Sequence, residues 1–308
     1  MNSPHDIYLI NRFPNFNTPG FDMERYNSLF LDHNVIINAQ AANVEYGEHW
    51  GPLSIKCAFN GKEFYRSGNR TIAVDDSSYL IFNEGKNYSS YINSETTVES
   101  FTINFNPEFV QHVVSAMKQR DLETDDASKR QIHFVEKNYL HNNTLLPMLL
   151  KLRRMSMALH SNKQRIKELF SEVLMTLVET QEEIQKEVSS MSARKYSTKQ
   201  ELYQRLNNAK DYMDACFAED ISLETIAHTA HLAPVYFLRE FKKNYHLTPH
   251  QYLTQRRIEE AKYLLLSKRN MISEICLMVG FQDISSFSKL FKYSTGFSPE
   301  QYRSTIFS

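Results

Sequence analysis

Apolar and polar positions alternate with a period of two in the first third of the chain. The apolar positions of one such segment are Leu53, Ile55, Cys57 and Phe59. Asn60-Gly61 follows this segment, and a second one begins at Glu63 with Phe64 and Tyr65. Alternation is typical of strands, and Asn-Gly between two strands favours a type I′ turn. The pattern therefore predicts a β-hairpin centred on Asn60-Gly61.

More short apolar runs, separated by turn residues, follow before Pro107. They are Thr71–Val74, Ser78–Phe82, Tyr88–Ile92 and Val98–Phe105. Short strands at regular spacing are typical of a β-sandwich or a small barrel. We therefore expect strands over about residues 20–106, in an N-terminal domain of this kind.

Beyond Pro107 the apolar period changes from two to about 3.6 residues, which predicts helices over about residues 107–188. One helical stripe consists of Ile166, Phe170, Val173, Leu177 and Ile184. This stripe either covers the strand domain or forms a coiled-coil seam for a dimer, and opposite helix faces allow both. A polar segment without periodicity follows and predicts a linker at 189–199, so that the N-terminal domain covers 1–188 and a second domain covers 200–308.

A pattern in the second domain recurs at an offset of fifty residues. The first copy is Phe237-x3-Phe241-Lys242 with Thr248-Pro249-x-Gln251-Tyr252, and the second is Phe287-x3-Phe291-Lys292 with Ser298-Pro299-x-Gln301-Tyr302. Phenylalanines at positions i and i+4 form an apolar helix face, and Thr or Ser before Pro is typical of a helix start. Each copy therefore predicts a helix that ends, turns and starts another.

A short amphipathic segment and a tight turn precede each copy. Leu223–Ala230, with Ser222 as its N-cap, is followed by His231, whereas Ile272–Val279 is followed by Gly280. Gly, and at some cost His, adopts the left-handed conformation that such a turn requires. Helix, short turn and helix make a helix-turn-helix, whose second helix enters the major groove of DNA. The repeated pattern thus predicts two helix-turn-helix motifs in an all-α domain.

One helix, from Pro249 to about Leu266, is predicted to join the two motifs. Its expected buried positions are Tyr252, Ile258, Ala261, Leu264 and Leu265. Eighteen residues make it about 27 Å long, against about 34 Å for one turn of DNA. Two recognition helices on such a spacer are expected to read successive major grooves on one DNA face.

A long signature runs through the second motif. It is Gly280-Phe281-Gln282-Asp283-Ile284-Ser285-Ser286-Phe287-Ser288-Lys289-Leu290-Phe291-Lys292, continuing at Gly296-Phe297-Ser298-Pro299 and Tyr302-Arg303. This signature resembles that of the AraC/XylS family of bacterial transcription regulators, with departures at Ser286, Lys289, His231 and His246. The resemblance covers about a third of the chain. The layout of the rest is similar to the cupin-like sensor and dimerisation domain of many members.

The first recognition helix is predicted from Pro234 to about Tyr245. Phe237 and Phe241 point inward, which leaves Val235, Tyr236, Leu238, Arg239 and Lys242 outward or partly so. The resemblance implies that Val235, Leu238 and Arg239 lie at base-reading positions and Lys242 near phosphate. Arg239 is the strongest candidate, because a guanidinium pairs bidentately with guanine O6 and N7.

The second recognition helix is predicted from Asp283 to about Tyr293. Its outward residues are Ile284, Ser285, Ser288, Lys289 and Lys292. Serine hydroxyls serve base edges or phosphates, so this helix is expected to be less selective and mainly to hold register. Cations proposed for backbone contacts are Lys243, Arg256, Arg257 and Arg303. The family resemblance favours a packing role for Arg257.

Composition and charge add little to this interpretation. The chain has 308 residues with 42% hydrophobic residues, which fits two globular domains. Residues 199–308 carry 14 Lys and Arg against 12 Asp and Glu, a weak nucleic-acid signal. Three widely spaced cysteines and an N-terminus without a signal peptide predict a soluble cytoplasmic protein without a membrane segment.

Enzyme chemistry has no support in the sequence, and no cofactor or metal is predicted. His33 and His49 with Glu45 or Glu48 are the only strand-region candidates for a metal site, and a chance grouping fits them better. His228 and His231 lie at a turn. Expected partners are double-stranded DNA, RNA polymerase and a second copy of the chain.

The strand domain is expected either to bind a small effector or to serve only as a scaffold. The aromatic residues that could line a ligand pocket are Tyr46, Trp50, Phe59, Phe64, Tyr65, Tyr79 and Phe82. The family resemblance predicts a transcription regulator and favours an activator, with effector binding through this domain as one of the two alternatives.

Overall fold

The computed structural model describes residues 6–15, 19, 21–68, 70–120, 132–158, 162–191, 196–266 and 270–306. It divides the chain into two compact units, Met1–Gln204 and Arg205–Ser308, which we call the N-terminal and the C-terminal unit. The described residues of the N-terminal unit form a sheet with helices, and those of the C-terminal unit form helices. The predicted α+β fold, with a strand-rich first part and an all-α second part, is confirmed.

Eight strands of the N-terminal unit form one sheet. They are β1 (Ile7–Ile10), β2 (Asn34–Gly51), β3 (Leu53–Phe59), β4 (Glu63–Ser67), β5 (Arg70–Val74), β6 (Ser78–Phe82), β7 (Lys86–Phe105) and β8 (Asn138–Leu140). The order is β1-β2-β7-β3-β6-β8, and β4 pairs with both β5 and β7. Only β1 and β2 are parallel among these pairs. A cupin-like barrel stays a prediction.

The predicted hairpin across Asn60-Gly61 is wrong. Strand β3 pairs with β6 and β7, whereas β4 pairs with β5 and β7. Every residue of β3 is buried, so this strand lies inside the sheet with both edges occupied. The turn itself exists, since Asn60 has a φ of 64° and its amide donates to the Asp76 carboxylate at 3.1 Å.

Two further expectations about the strands need correction. The runs Tyr88–Ile92 and Val98–Phe105 belong to a single strand, β7, which pairs with β2 along most of its length. The predicted strand range also included a helix, α1 (Met23–Asp32), which begins at Asp22 as N-cap. The Asp22 carboxylate accepts from the Arg25 amide at 2.9 Å, a helix-start signal that the strand interpretation passed over.

Three further helices of the N-terminal unit pack on the sheet: α2 (Pro107–Arg120), α3 (Leu145–Met157) and α4 (Lys163–Ser190). All five stripe residues lie on α4 and are at most 6% exposed: Ile166, Phe170, Val173, Leu177 and Ile184. The Phe170 ring lies 4.8 Å from that of Phe105 and 5.5 Å from that of Phe109, between centroids. The stripe therefore covers the chain's own core, and these side chains are not a free dimer seam.

Seven helices follow: α5 (Tyr196–Ala215), α6 (Leu223–Thr229), α7 (Pro234–Tyr245), α8 (Pro249–Leu265), α9 (Ile272–Met278), α10 (Ile284–Thr295) and α11 (Pro299–Ile306). Ser189 and Ser190 end α4, and Tyr196 begins α5, so helices extend into the predicted linker at 189–199. Of that segment, 192–195 lie outside the described residues. The division between the two units falls within α5, and the domain bounds stay a prediction.

The spacer helix α8 ends one residue before the predicted position. Ile258, Ala261 and Leu265 are buried as expected, whereas Tyr252 and Leu264 are half-buried. Leu253 is buried as well, which the sequence interpretation omitted. No helix in the described part of the chain has both the length and the apolar composition to span a membrane.

Candidate nucleic-acid interface

Two helix-turn-helix motifs lie in the C-terminal unit. The first motif consists of α6 and α7, and the second consists of α9 and α10. Each turn contains a residue in the left-handed conformation, His231 with a φ of 51° and Gly280 with a φ of 86°. The amide of the next residue then donates back to the preceding helix, from Leu232 to the Ala227 carbonyl at 3.1 Å and from Phe281 to the Cys276 carbonyl at 3.0 Å. These hydrogen bonds stabilise the turns that precede α7 and α10.

Pairs of phenylalanines fix the inner faces of α7 and α10. Phe237 and Phe241 on α7, and Phe287 and Phe291 on α10, have no exposed surface. Their ring centroids lie 5.3 Å apart in α7 and 5.7 Å apart in α10. Because this face is buried, the rotation of each recognition helix is set, and the opposite face is presented to solvent.

The outer face of α7, which we call the first reading face, carries Val235, Tyr236, Leu238, Arg239, Lys242 and Lys243. Val235 is 82% exposed and Tyr236 is 39% exposed, while Leu238 is half-buried. The Arg239 side chain is 70% exposed. Lys242 and Lys243 lie in the exposed last turn of the helix. The structure therefore brings all six predicted residues to one helix, five of them exposed.

Arg239 is held by two neighbours on the same helix. Its Nε donates to Oε1 of Glu240 at 3.2 Å, and its guanidinium carbon lies 5.1 Å from the centroid of the Tyr236 ring. The Glu240 side chain is only 9% exposed. An ion pair on a mostly exposed guanidinium is weak in water, so it orients the side chain without preventing a stronger partner.

The outer face of α10, the second reading face, carries Ile284, Ser285, Ser288, Lys289 and Lys292. Ile284 is 44% exposed; Ser285, Lys289 and Lys292 are also exposed, and Ser288 is half-buried. These residues share one helix, as expected. The face is richer in serine than the first reading face, since it carries Ser285 and Ser288.

The start of α10 is capped by a carboxylate. Asp283 accepts from the Ser286 amide at 2.7 Å and from the Ser285 amide at 3.3 Å. Hydrogen bonds from Ser286, followed by that from the Ser285 amide, hold the pKa of Asp283 below its usual value. In contrast, no side-chain hydrogen bond caps α7, which begins at Ala233 with Pro234 in its first turn. The first amides of α7 are therefore not engaged by a capping side chain.

Three other predicted backbone-contact cations have partners in the protein. Arg257 donates from Nε to the Phe217 carbonyl at 2.7 Å and from a terminal nitrogen to the Glu219 carbonyl at 2.9 Å. Arg303 donates to the Asn270 carbonyl at 2.8 Å, and Arg256 pairs with Glu260 at 3.1 Å. The packing role favoured for Arg257 is therefore confirmed.

One prominent residue of α10 is not among those predicted from the sequence. Tyr293 is 92% exposed and follows Lys292 at the end of the helix. It corresponds to Lys243 at the offset of fifty residues. A large aromatic residue at an outward helical position was the signal that could have revealed it.

A cavity of about 230 Å³ lies in the N-terminal unit. Of the aromatic residues predicted for a pocket, Tyr46, Trp50 and Tyr65 line it. The remaining four, Phe59, Phe64, Tyr79 and Phe82, do not, and three of these are buried in the hydrophobic core. Two lining residues that the sequence analysis missed are Lys56 and Glu63, both buried.

His33 and His49, which were considered as metal ligands, do not form a metal site among the described residues. Among the described residues there is no group of three His, Cys, Asp or Glu side chains placed to hold a metal ion. His49 lines the cavity, where its Nδ1 lies 2.9 Å from the Gly47 carbonyl oxygen. Burial, as the largest cause, lowers the pKa of His49. His33 instead lies beside Tyr8, with 4.5 Å between ring centroids.

Comparison with known proteins agrees with the geometry of the C-terminal unit. Residues 226–305 match the family described as "Helix-turn-helix domain", a range that includes the second motif and all of the first except the start of α6. This region is an AraC-type helix-turn-helix domain. The match covers the recognition helices α7 and α10 in full.

Relatives of the AraC-type domain are transcription regulators. The chain is 33% identical over 97 residues to "Uncharacterized HTH-type transcriptional regulator YobQ" of Bacillus subtilis, covering 32% of this chain and 40% of YobQ. It is 33% identical over 99 residues to "HTH-type transcriptional activator RhaS" of Enterobacter sp., covering 32% of this chain and 36% of RhaS. The chain thus spans well under half the length of these relatives.

A solved structure is similar to about a third of the chain. It is the C-terminal domain of AraT, a response regulator from Geobacillus stearothermophilus, with 36% identity. The alignment covers 34% of this chain and 87% of the AraT domain, with a TM-score of 0.33.

Proposed function

We propose that this protein is a DNA-binding transcription regulator of the AraC type, whose two recognition helices enter successive major grooves. One observation supports this most strongly: two helices fifty residues apart are locked by buried phenylalanine pairs and present exposed cations on their outer faces. The spacer helix α8 has 17 residues, and its length is about 26 Å. This length suits two readers about one DNA turn apart.

The first reading face selects the base sequence in this proposal. Arg239 is exposed and supported from one side by Tyr236, which leaves a planar donor set for the O6 and N7 acceptors of guanine. Val235, at 82% exposure, is placed to contact a thymine methyl group. The uncapped first amides of α7 fit a phosphate oxygen, because a helix N-terminus favours negative charge.

The second reading face holds register in this proposal. Ser285 and Lys289 are exposed and suit phosphate oxygens or either base edge. The Asp283 carboxylate occupies the first amides of α10, so a phosphate is less favoured there than at α7. Lys292 in the last turn adds a cation for the DNA backbone.

A pair of charge-matched triple variants tests the interface. The first variant changes Arg239, Lys242 and Lys243 to alanine. The control variant changes Arg154, Lys151 and Lys186 to alanine; these three residues are exposed in the N-terminal unit. DNA bound by the full chain is selected from a random library, and affinity for the selected DNA is measured by gel shift. We expect the first variant to lose binding by about a hundredfold or more and the control to retain it. Equal losses would contradict the placement of the interface.

Further parts of the proposed function concern the whole chain. We propose that it activates transcription through contact with RNA polymerase, as an activator such as RhaS suggests by name. We also propose that it is a cytoplasmic homodimer without enzyme activity and that its N-terminal unit binds an effector. Because the α4 stripe is buried in the core, no residues are assigned to the dimer interface. Light scattering of the full chain measures whether it is a dimer.

A further inference from the structure

The cavity of the N-terminal unit is lined by one acidic and one basic residue that the DNA interface does not use. It is lined by residues of α1, β2, β3, β4 and β7. Lys56 on β3 is 5% exposed and Glu63 on β4 is 3% exposed, and both line the cavity. Burying a charge is costly unless it has a partner, so this pair requires a physical account.

One carboxyl oxygen of Glu63 has no hydrogen-bond donor among the described residues. Its Oε2 is buried and makes no hydrogen bond to any described residue. Burial is the largest effect on this carboxyl and raises its pKa, against which Ser100, Tyr65, Lys56 and Ser90 act in the lowering direction. Glu63 lines the cavity, so a hydroxyl or N–H group supplied from the cavity is a suitable donor to its carboxyl group.

Lys56 provides the complementary donor. Its Nζ donates to the Tyr88 hydroxyl at 2.7 Å and lies 4.8 Å from the centroid of that ring. Burial lowers the pKa of Lys56 to about 8, so the amine is still mainly protonated at neutral pH. An ammonium group has three donors, and the bond to Tyr88 uses one.

The rest of the wall combines hydroxyl groups with aromatic surface. Ser90, Ser100 and Thr102 on β7 add hydroxyls to the lining. Trp50 and Tyr26 add aromatic rings on another part of the wall. Apolar wall with a few convergent polar groups is the usual composition of a small-molecule site.

We propose that this cavity binds a small uncharged polyhydroxyl compound, with one hydroxyl donating to the carboxylate of Glu63 and another oxygen accepting from Nζ of Lys56. The carbon-bound face of the compound packs on the aromatic wall. As the effector site of a regulator, this inference rests on the function proposed above.

The charge balance of the pair selects against charged ligands. A carboxylate ligand attracted to Lys56 also meets Glu63, and an amine ligand attracted to Glu63 also meets Lys56. Like charges brought together in a site of low dielectric are strongly disfavoured. A neutral ligand with adjacent donor and acceptor groups satisfies both residues without this penalty.

Trp50 provides a direct readout of the cavity. It is the only tryptophan of the chain, so intrinsic tryptophan fluorescence reports on the cavity wall alone. The full chain is titrated with neutral pentoses, hexoses, disaccharides and cyclic polyols, each beside its uronate and amino derivative where these exist, and with decanoate. We expect a saturable change with at least one neutral compound, and affinity about tenfold or more lower for its charged derivatives.

Two glutamate variants separate recognition from folding. Glu63→Gln is expected to weaken the neutral compound about tenfold or more, because the carboxylate acceptor is lost. Glu99→Gln is the matched control: Glu99 is equally buried in the N-terminal unit but pairs with Arg153, away from the cavity lining. If thermal unfolding shows that Glu63→Gln does not fold, the Lys56→Met/Glu63→Gln double variant, which removes both buried charges, carries the same expectation.

Failure of the ligand proposal can be distinguished from failure of the proposed regulator function. Tighter binding of a uronate, an amino sugar or decanoate, or no response to any neutral compound, overturns the ligand proposal. An equal effect of Glu63→Gln and Glu99→Gln overturns it as well. DNA binding is measured on the same preparations without ligand, and its absence in the unaltered chain overturns the regulator function while leaving the Trp50 titration valid.

Discussion

The two helix-turn-helix motifs have the same inner scaffold. In each, two phenylalanines are fully buried, and a tyrosine of the following helix packs edge-on against the second of them. The centroid distances are 5.9 Å for Phe241 and Tyr252 and 5.4 Å for Phe291 and Tyr302. The following helices begin alike, since Gln251 and Gln301 each exchange hydrogen bonds with the Thr or Ser at the N-cap.

Their turns differ by one residue. The left-handed residues His231 and Gly280 are 49 positions apart, whereas Phe237 and Phe287 are 50 apart. The second turn is therefore longer, and Asp283 stands immediately before its recognition helix as a cap. Gly280 also lies against backbone, because a Cβ built there would be 2.6 Å from the Ala218 carbonyl oxygen.

The outer faces differ most. Val235, Leu238 and Arg239 of the first motif correspond to Ser285, Ser288 and Lys289 of the second. Packing constrains the inner faces to the same aromatic residues, whereas the outer faces are mostly exposed and are less constrained by packing. The same buried scaffold therefore supports two chemically different outer faces.

The largest expected effect tests the common scaffold. Phe237→Ala and Phe287→Ala should each destabilise their own motif by about 3–5 kcal/mol, because each removes a fully buried ring. Hydrogen exchange with mass spectrometry measures the local opening free energy of α7 and α10 in the full chain. A loss below about 1 kcal/mol in one motif only would show that the two scaffolds are unequal.

The next effect tests the difference between the turns. Gly280→Ala should cost about 2–4 kcal/mol, since alanine combines a left-handed φ with a clash against the Ala218 backbone. The matched change His231→Gly should instead be neutral or stabilise by up to about 1 kcal/mol, because a non-glycine residue leaves the left-handed conformation. The same exchange experiment measures both, and similar losses from the two variants would contradict the comparison.

A smaller effect tests the register role of the second reading face. Lys289→Ala should weaken binding to selected and random DNA alike and reduce the slope of log affinity against log salt by about 1, since it removes one phosphate contact. Gel shifts over a range of salt concentrations measure this slope. A changed base preference in the selected DNA would instead make Lys289 a base reader.

The smallest effect is expected from substitutions at the N-cap positions of α7 and α10. Asp283→Ala should increase amide exchange at the start of α10, and Ala233→Asp should decrease it at the start of α7. The folded-state pKa of Asp283 is lowered, so its contribution is present above the unfolded pKa and is lost as pH falls through the folded one. Exchange of the unaltered protein at decreasing pH should therefore loosen α10 near the acid end, and an unchanged α10 there would contradict the cap.

Local signals explain why the C-terminal unit could be predicted closely. The first recognition helix runs from Pro234 to Tyr245 as expected, because proline favours the first turn and His246 ends the helix in a left-handed conformation. The second begins after Asp283 for a similar reason. Such signals are confined to a few neighbouring residues and need no knowledge of the fold.

Long-range pairing explains what could not be predicted in the N-terminal unit. The Asn60-Gly61 turn is local, but the partners of β3 are β6 and β7, which are distant in sequence. Lys56 occupies a polar position of the alternating pattern, which indicates a solvent-facing side chain. Both faces of β3 are covered, so Lys56 is buried, and its neighbour in the cavity comes from another strand.

Base selection by the first reading face depends on Arg239, and a single variant tests it. DNA is selected from a random library by the unaltered chain and by Arg239→Ala, and affinities for selected and random DNA are compared. We expect Arg239→Ala to lose about 1–3 kcal/mol of binding free energy on selected DNA and to relax the preference at one base pair, with little change on random DNA. An equal loss on both kinds of DNA, with unchanged base preference, would contradict it.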